Sequence, residues 1–340
     1  MEMNCHICSL PSTLPSANID ASGLCSYCRK FKGKEELDRQ RKEYEFRFQQ
    51  LIETYKSSHT NCPYDILVAY SGGKDSTFTL DLLKKRYGLR ILALTFDHGF
   101  VSPYALENIR RVIETLGVDH ITFKPDFLLV KRIFRYSIDH ELHPPKALER
   151  ASSICNSCMG LVKSFTLRTA IEKRIPFIAY GWSPGQAPIQ SAILKNQPAF
   201  IKRTQQLFLQ HLEKAVGSGV RAYFLDNQDL DRSTKANFPY NINILAFLKY
   251  DEEEIFIRIK ELGWQLPQDT DPNSTNCLLN AFANKVHLQR HGYHPYAMEM
   301  AEFVREGLLT REEAFLRLYK EPNPDIIEMV KAKLGIKKEF

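Results

Sequence analysis

From Tyr64 onward the chain alternates apolar blocks with amphipathic ones. YDILVAY (64–70) holds the continuous run ILVAY, the pattern of a strand buried on both faces. SGGKDS follows as a tight turn, and TFTLDLLKKRYG (77–88) has apolar residues at helical spacing and closes on Gly88. The unit then recurs. RILALTF (90–96) is a second strand, 103–116 a helix ended by Gly117, HITFKP (120–125) a third strand, and 127–138 a further helix. After a Pro-containing loop from His143 to Ser153, C-N-S-C opens a helix to about Lys173, and PFIAYGW (176–182) is a fourth strand. INILAFLKY (242–250) reads as the last core strand. Strands alternating with helices predict an α/β fold with a doubly wound parallel sheet, whose ligands bind beyond the carboxyl ends of the strands.

The flanks have a different texture. Residues 1–32 are rich in Cys, Ser and Pro without periodicity, which suits a small module held by metal rather than by a core. Residues 33–60 are charged with Leu, Phe and Tyr at helical spacing and read as a connecting helix. The sheet domain then covers 61–262, and 263–340 is a helical module with a capping pattern at Thr310 and Glu313.

Apolar residues at 44% and charged residues at 25% of 340 exclude a disordered or fibrous chain. A net charge of +6 suits an anionic ligand such as a nucleotide, a sugar nucleotide or tRNA, without choosing among them. The longest apolar runs are strand-length and no membrane association is expected. MEMNCHICSL lacks a basic region followed by an apolar stretch, so the reading is a cytoplasmic chain. Of eight cysteines, six form three C-x-x-C pairs; in a reducing compartment these point to metal or redox chemistry.

Ser71-Gly72-Gly73-Lys74-Asp75-Ser76 stands where a buried strand turns into a helix. Two glycines let the backbone approach a phosphate chain, the helix N-terminus offers N–H groups and partial positive charge, and Ser71 and Ser76 add hydroxyls. Lys74 can neutralise phosphate, and Asp75 can hold Mg²⁺ or cap the helix. The Walker pattern is absent. The motif instead resembles the SGGxDS loop of the PP-loop ATP pyrophosphatases, which bind ATP and transfer AMP to a substrate oxygen. That resemblance implies nucleoside contact at Asp97, which His98 and Gly99 follow. It also places Gly181 at the same edge; relatives carry Gly-His-Asn or similar, whereas Trp182 and Ser183 follow here, leaving Gly181 a close backbone approach.

Cys5-x2-Cys8 and Cys25-x2-Cys28, sixteen residues apart, fit a closed four-thiolate zinc site of structural purpose. For Cys155, Cys158 and the distant Cys277, spacing alone leaves open a redox pair, a zinc site or a buried apolar thiol. The three resemble the cysteine set of iron-sulfur PP-loop tRNA thiolation enzymes. That implies a 4Fe-4S cluster whose open iron could hold hydrosulfide near an adenylated carbon. Cys62 reads as a core thiol. Asn273, Asn276, Asn280, Lys285, His287, Arg290, His291 and His294 form a polar cluster that either grips an anionic substrate or is an exposed helix face.

The layout also resembles the N-acetyl sugar amidotransferases: a four-cysteine knuckle, a charged helix, SGGKDST, a Cys pair before a strand ending Gly-Trp, and GLLTREEA. There a partner glutaminase delivers nitrogen as ammonia. The expectation is therefore an AMP-forming ATP-dependent enzyme, with Lys74, Asp75, Cys155, Cys158 and Cys277 catalytic. Sulfur insertion comes first, because three placed cysteines exceed what amide formation requires. Amidation and a non-catalytic ATP-binding redox or metal sensor are the rivals. Expected partners are an anionic small molecule, nucleoside or sugar, with a sulfur donor or a glutaminase; tRNA lacks a dedicated basic domain, and a homodimer is open.

Overall fold

Four apolar runs become Ile66–Ala69 (β1), Ile91–Phe96 (β2), Asp119–Phe123 (β3) and Phe177–Tyr180 (β4), all mutually parallel where they pair. The computed structural model describes residues 4–58, 62–232, 238–271 and 273–338. Two more strands, Ile193–Lys195 (β5) and Tyr240–Ile242 (β6), complete a sheet of order β3-β2-β1-β4-β6-β5. β6 joins β4 in parallel, and β5 closes the edge antiparallel to β6. The strand order reverses between β1 and β4, and a crevice at the carboxyl ends of these two strands is where such sheets bind ligands.

The helices are Ser26–Lys30 (α1), Lys34–Ser58 (α2), Lys74–Asp81 (α3), Pro103–Leu116 (α4), Phe127–Asp139 (α5), Pro145–Leu148 (α6), Ser153–Glu172 (α7), Pro198–Val216 (α8), Asn227–Arg232 (α9) and Glu252–Lys260 (α10). Leu279–His291 (α11), Ala297–Glu306 (α12), Arg311–Tyr319 (α13) and Pro324–Leu334 (α14) follow. Side chains alternate across β1. Ile66, Val68 and Tyr70 pack with Phe78, Leu80, Ile109 and Val112 of α3 and α4, while Leu67 packs with Leu167 and Ala170 of α7 on the other face. Both faces of the central strand are thus covered, which is why its sequence reads as unbroken apolar text. A second layer joins α5, α7, α8, α11 and α14 around Phe134, Leu161, Leu212, Phe282 and Val330.

Local signals set the boundaries. Ser102 accepts the Tyr104 and Ala105 amides ahead of α4, and Gly117 ends that helix at φ 58. Thr310 and Glu313 form the expected reciprocal cap on α13. The stretch 242–250 is not a strand: β6 stops at Ile242, and Ile244–Ala246 is a 3₁₀ turn. Its apolar run signals burial rather than extension, for Ile244, Leu245, Phe247, Leu248 and Tyr250 are all interior. Asn243 N–H instead bonds the Ala192 carbonyl at 2.8 Å and turns the chain. Cys62 is half-buried rather than in the core, its Sγ 3.5 Å from the Arg174 carbonyl oxygen. Among the described residues no helix is long and apolar enough to cross a membrane.

Phe177 shows how α2 is fastened to the sheet. Its ring meets Tyr55 of α2 at 4.8 Å and Tyr240 of β6 at 5.9 Å. Phe177→Ala is expected to cost about 3–5 kcal/mol in denaturant unfolding, and a loss below ~1 kcal/mol would contradict this packing.

Candidate functional site

The turn 71–76 leaves β1 at the reversal of strand order and enters α3. Gly72 has φ +75, and a Cβ there would lie 2.5 Å from the Ala105 carbonyl oxygen, so both conformation and space demand glycine. Ser71 and Ser76 hydroxyls meet at 3.0 Å. Gly181, just past β4, is pressed against the start of α3: an added Cβ would sit 2.5 Å from the Ser76 nitrogen. Trp182 follows, stacked on Tyr180 at 4.8 Å with Lys163 above its ring at 4.5 Å.

A distant segment holds this turn from outside. Trp264 Nε1–H donates to the Gly72 carbonyl at 2.9 Å, and the Lys74 amide donates to Thr275 Oγ1 at 2.8 Å. Gly73 faces Thr275 and Asn276, where a Cβ would come within 3.1 Å of the Thr275 hydroxyl. The same segment runs beside the loop after β2: Ser102 N–H bonds Asn276 O and Leu278 N–H bonds Phe100 O, both at 2.9 Å, with Val101 bridged to Cys277. Thr275 lay outside the sequence reading, because nothing in DPNSTNC marks a hydroxyl two hundred positions from its partner.

Lys74 is buried in an alternating charge network. Its ammonium lies 3.0 Å from Asp75 and 3.0 Å from Glu252 and donates to the Tyr250 hydroxyl. Tyr250 in turn donates to Asp75 Oδ1 at 2.8 Å, and Arg317 pairs with Glu252 at 2.6 Å. Burial alone would lower the Lys74 pKa, but Asp75 and Glu252 outweigh it and hold the amine above its ordinary value. Two cations thus balance two anions. Glu252 goes unread because a charged helix start at 251–254 looks like solvated surface, Tyr250 because it closes an apolar run, and Arg317 because one charge on a helix carries no signal of its distant partner.

Asp97 lies at the carboxyl end of β2, where its carboxylate accepts the Gly99 amide at 2.9 Å and pairs with Lys124 at 3.3 Å. His98 is buried, and that burial pushes its pKa down to about 4. Its Nδ1 accepts the Phe100 amide at 3.3 Å, so the neutral ring carries its proton on Nε2, 3.9 Å from Cys277 Sγ.

Cys155 and Cys158 stand in the first turns of α7, where Ser152 Oγ accepts the Cys155 amide at 3.1 Å. Cys277 reaches the same neighbourhood from the 273–278 segment. Desolvation raises all three thiols, Cys277 to about 12, and Cys155 and Cys277 each raise a neighbour further by mutual repulsion. Asn280 links this group to α11, donating to Tyr296 OH at 3.0 Å and toward Cys155 Sγ at 3.9 Å.

The N-terminal cysteines differ in geometry. Cys5, Cys8, Cys25 and Cys28 place all four sulfurs within 4.8 Å of one another, with Cys5–Cys28 at 3.7 Å and Cys8–Cys25 at 3.6 Å. Four thiolates about 2.3 Å from one ion make a tetrahedron with edges of about 3.8 Å. Backbone amides of Cys25 and Cys28 donate to Cys5 and Cys25 sulfurs at 3.3 and 3.4 Å, the bonds that hold thiolate ligands in place. The module docks on the C-terminal helices through Tyr293, Ala297, Met298 and Ala301, and through Arg311 to Ser9 at 2.9 Å. Among the described residues, Cys155, Cys158 and Cys277 do not form such a tight group.

The polar cluster of the C-terminal module divides. Asn276 and Asn280 reach the turn and Cys155, and Asn273 bonds Asp271 and the Arg317 carbonyl. His287 and His294 are interior, whereas Lys285 and Arg290 are exposed.

No family model matches the chain. An uncharacterized protein of Methanocaldococcus jannaschii is 24% identical over 337 residues, covering 98% of this chain and 100% of its own length. A stretch of 69 residues, 20% of this chain, is 33% identical to 14% of a glutamine-hydrolyzing GMP synthase from Pyrobaculum aerophilum. Among solved structures, the U34-tRNA thiolase NcsA from Methanococcus maripaludis with its 4Fe-4S cluster aligns with 99% of this chain and 100% of its own, at 18% identity and TM-score 0.34. NMN synthetase from Francisella tularensis aligns over 80% of this chain and 95% of its own, at 14% identity and TM-score 0.35.

The tie from Trp264 to the turn can be tested alone. Trp264→Phe keeps an aromatic side chain but removes the Nε1–H that serves the buried Gly72 carbonyl together with part of the ring, and should cost at least about 1–3 kcal/mol in denaturant unfolding. Unchanged stability would show that the bond does not hold the turn.

Proposed function

We propose that this chain is an ATP-dependent, AMP-forming enzyme that activates a carbonyl-type oxygen of its substrate and replaces it with sulfur. One observation carries the reading. The segment from Thr275 to Cys277 bonds the Lys74 amide at one end and delivers a thiol beside His98 at the other, which supports reading the glycine turn and the cysteines as one site. The resemblance of SGGKDS to the PP-loop motif supports nucleotide binding at that turn.

In this reading the α3 N-terminus and the Ser71 and Ser76 hydroxyls receive phosphate oxygens, and Asp97 and Gly181 border the nucleoside. Mg²⁺ beside Asp75, together with Lys74, offsets charge on the departing pyrophosphate. The substrate oxygen bonds the α-phosphorus as the bond to pyrophosphate breaks. Sulfide, from an external donor, then adds at the activated carbon, and AMP leaves with the original oxygen. The network of Tyr250, Glu252 and Arg317 holds Lys74 and Asp75 in place throughout.

The donor set of Cys155, Cys158 and Cys277 fits an iron-sulfur cluster. Three soft ligands spread more widely than a single-ion site requires, with Asn280 and His98 positioned as N–H donors to two of the sulfurs. When bound, such a cluster supplies an iron without a protein ligand at which sulfide can reside. Zinc on Cys5, Cys8, Cys25 and Cys28 would be structural, adding to the small core that Leu10, Leu14 and Ala17 share with the C-terminal helices. The local likeness to a glutamine-hydrolyzing GMP synthase favours a second reading, amidation with nitrogen supplied by a separate glutaminase.

Protein purified without oxygen is expected to carry about four iron and four sulfide per chain besides about one zinc. Cys277→Ser should lose the iron and keep the zinc and MgATP binding; a colourless wild type holding zinc alone would overturn sulfur insertion in favour of amidation. Gly181→Ala, which forces a methyl into the start of α3, should weaken MgATP binding by at least ~10-fold, equivalent to about 1.4 kcal/mol. Unchanged affinity would move the nucleotide away from this edge.

A further inference from the structure

Glu299 has no part in the chemistry above, yet it is anchored to the same edge of the sheet. It projects from α12 and is only 9% exposed. Its carboxylate accepts the Ser183 hydroxyl and, at 3.1 Å, Gln186 Nε2. Gly185, at φ +86, lays this loop flat on the helix: an added Cβ would stand 3.0 Å from Glu299 Cα. Two residues before Ser183, Gly181 lies against Ser76. A short, tightly packed path thus joins the phosphate turn, the 181–186 loop and this carboxyl.

The surrounding charges are unevenly disposed. Lys74 and Asp75 face Glu299 from α3, Tyr250 from beyond β6, and Tyr296 from just ahead of α12. Glu252 and Glu302 stand nearby on α10 and α12, and Arg150 donates to the Gly185 carbonyl at 2.7 Å. Burial pushes the Glu299 pKa up to about 7; Asp75 adds to the rise, while Ser183, Gln186 and Lys74 oppose it. The carboxyl therefore stands near half-ionisation at neutral pH, within reach of any change in charge at the turn.

We propose that Glu299 is a positioning residue of the nucleotide site, fixing the 181–186 loop against the phosphate turn, and that it takes up a proton when MgATP binds. The inference rests on the nucleotide reading above. Even with Mg²⁺ beside Asp75, the magnesium complex of ATP brings net negative charge to the turn, which makes a second buried anion more costly. Protonation removes that anion without releasing the loop. The Ser183 hydroxyl can accept from a carboxylic acid as readily as it donates to a carboxylate, and Gln186 keeps an oxygen to bond. Because the free carboxyl already titrates near neutrality and binding raises its pKa further, uptake falls in the window from about pH 7 upward and vanishes below about pH 6.

The test is calorimetric titration of the intact protein with the magnesium complex of a non-hydrolysable ATP analogue, across pH, in buffers of different ionisation enthalpy. Wild type should take up a measurable fraction of a proton near neutral pH, and Glu299→Gln should lose that uptake while binding remains measurable. The difference between the two removes the nucleotide's own titration. Ser183→Ala, which keeps the carboxyl but strips a donor that stabilises its charged form, should move the window to higher pH. Equal uptake in wild type and Glu299→Gln, or no displacement in Ser183→Ala, overturns the proposal alone. Wild type that binds no analogue at any pH overturns the nucleotide reading and this proposal with it.

Discussion

The bond from the Lys74 amide to the Thr275 hydroxyl closes a separation of 201 residues, and the arrangement of the site depends on it. A glycine turn at the end of a parallel strand has enough freedom to adopt many shapes. Here Trp264 and Thr275 hold it from the C-terminal side and Gly181 from the neighbouring strand, so its backbone is fixed before any ligand arrives. An amide held by Thr275 at a helix N-terminus has a polar partner that a ligand oxygen could replace by exchange of one hydrogen bond. The same tether brings Cys277 across to Cys155 and Cys158, so fold and site share one constraint.

Charge and sulfur are each divided by geometry. Around Lys74 the ions alternate in sign, and a lysine whose pKa burial alone would lower is held above its ordinary value. The N-terminal thiols converge to tetrahedral edges against the C-terminal helices, which suits an ion with no further place for a ligand. Cys155, Cys158 and Cys277 stand looser, near the carboxyl end of β2. In the proposed reading the first set has a structural role and the second a chemical one.

Much of the fold was legible because its signals are local. The runs that became β1 to β4 stand between helix caps such as Ser102 and Gly117, and each boundary follows from a few adjacent residues. The failures share a cause. The stretch 242–250 reads as a strand since periodicity reports burial and not dihedral angle, and β5 escapes notice because three residues at a sheet edge carry almost no pattern. The glycine turn and the cysteine spacings were visible for the same local reason. Thr275, Tyr250, Glu252 and Glu299 were not, since their meaning comes from contacts made across more than a hundred residues.

The most direct measurement is a crystal structure of the protein grown with magnesium and a non-hydrolysable ATP analogue. The account predicts a triphosphate seated on the backbone of residues 71–76, with its α-phosphate turned toward the cysteine neighbourhood. A nucleotide lodged elsewhere, with that turn empty, would contradict it.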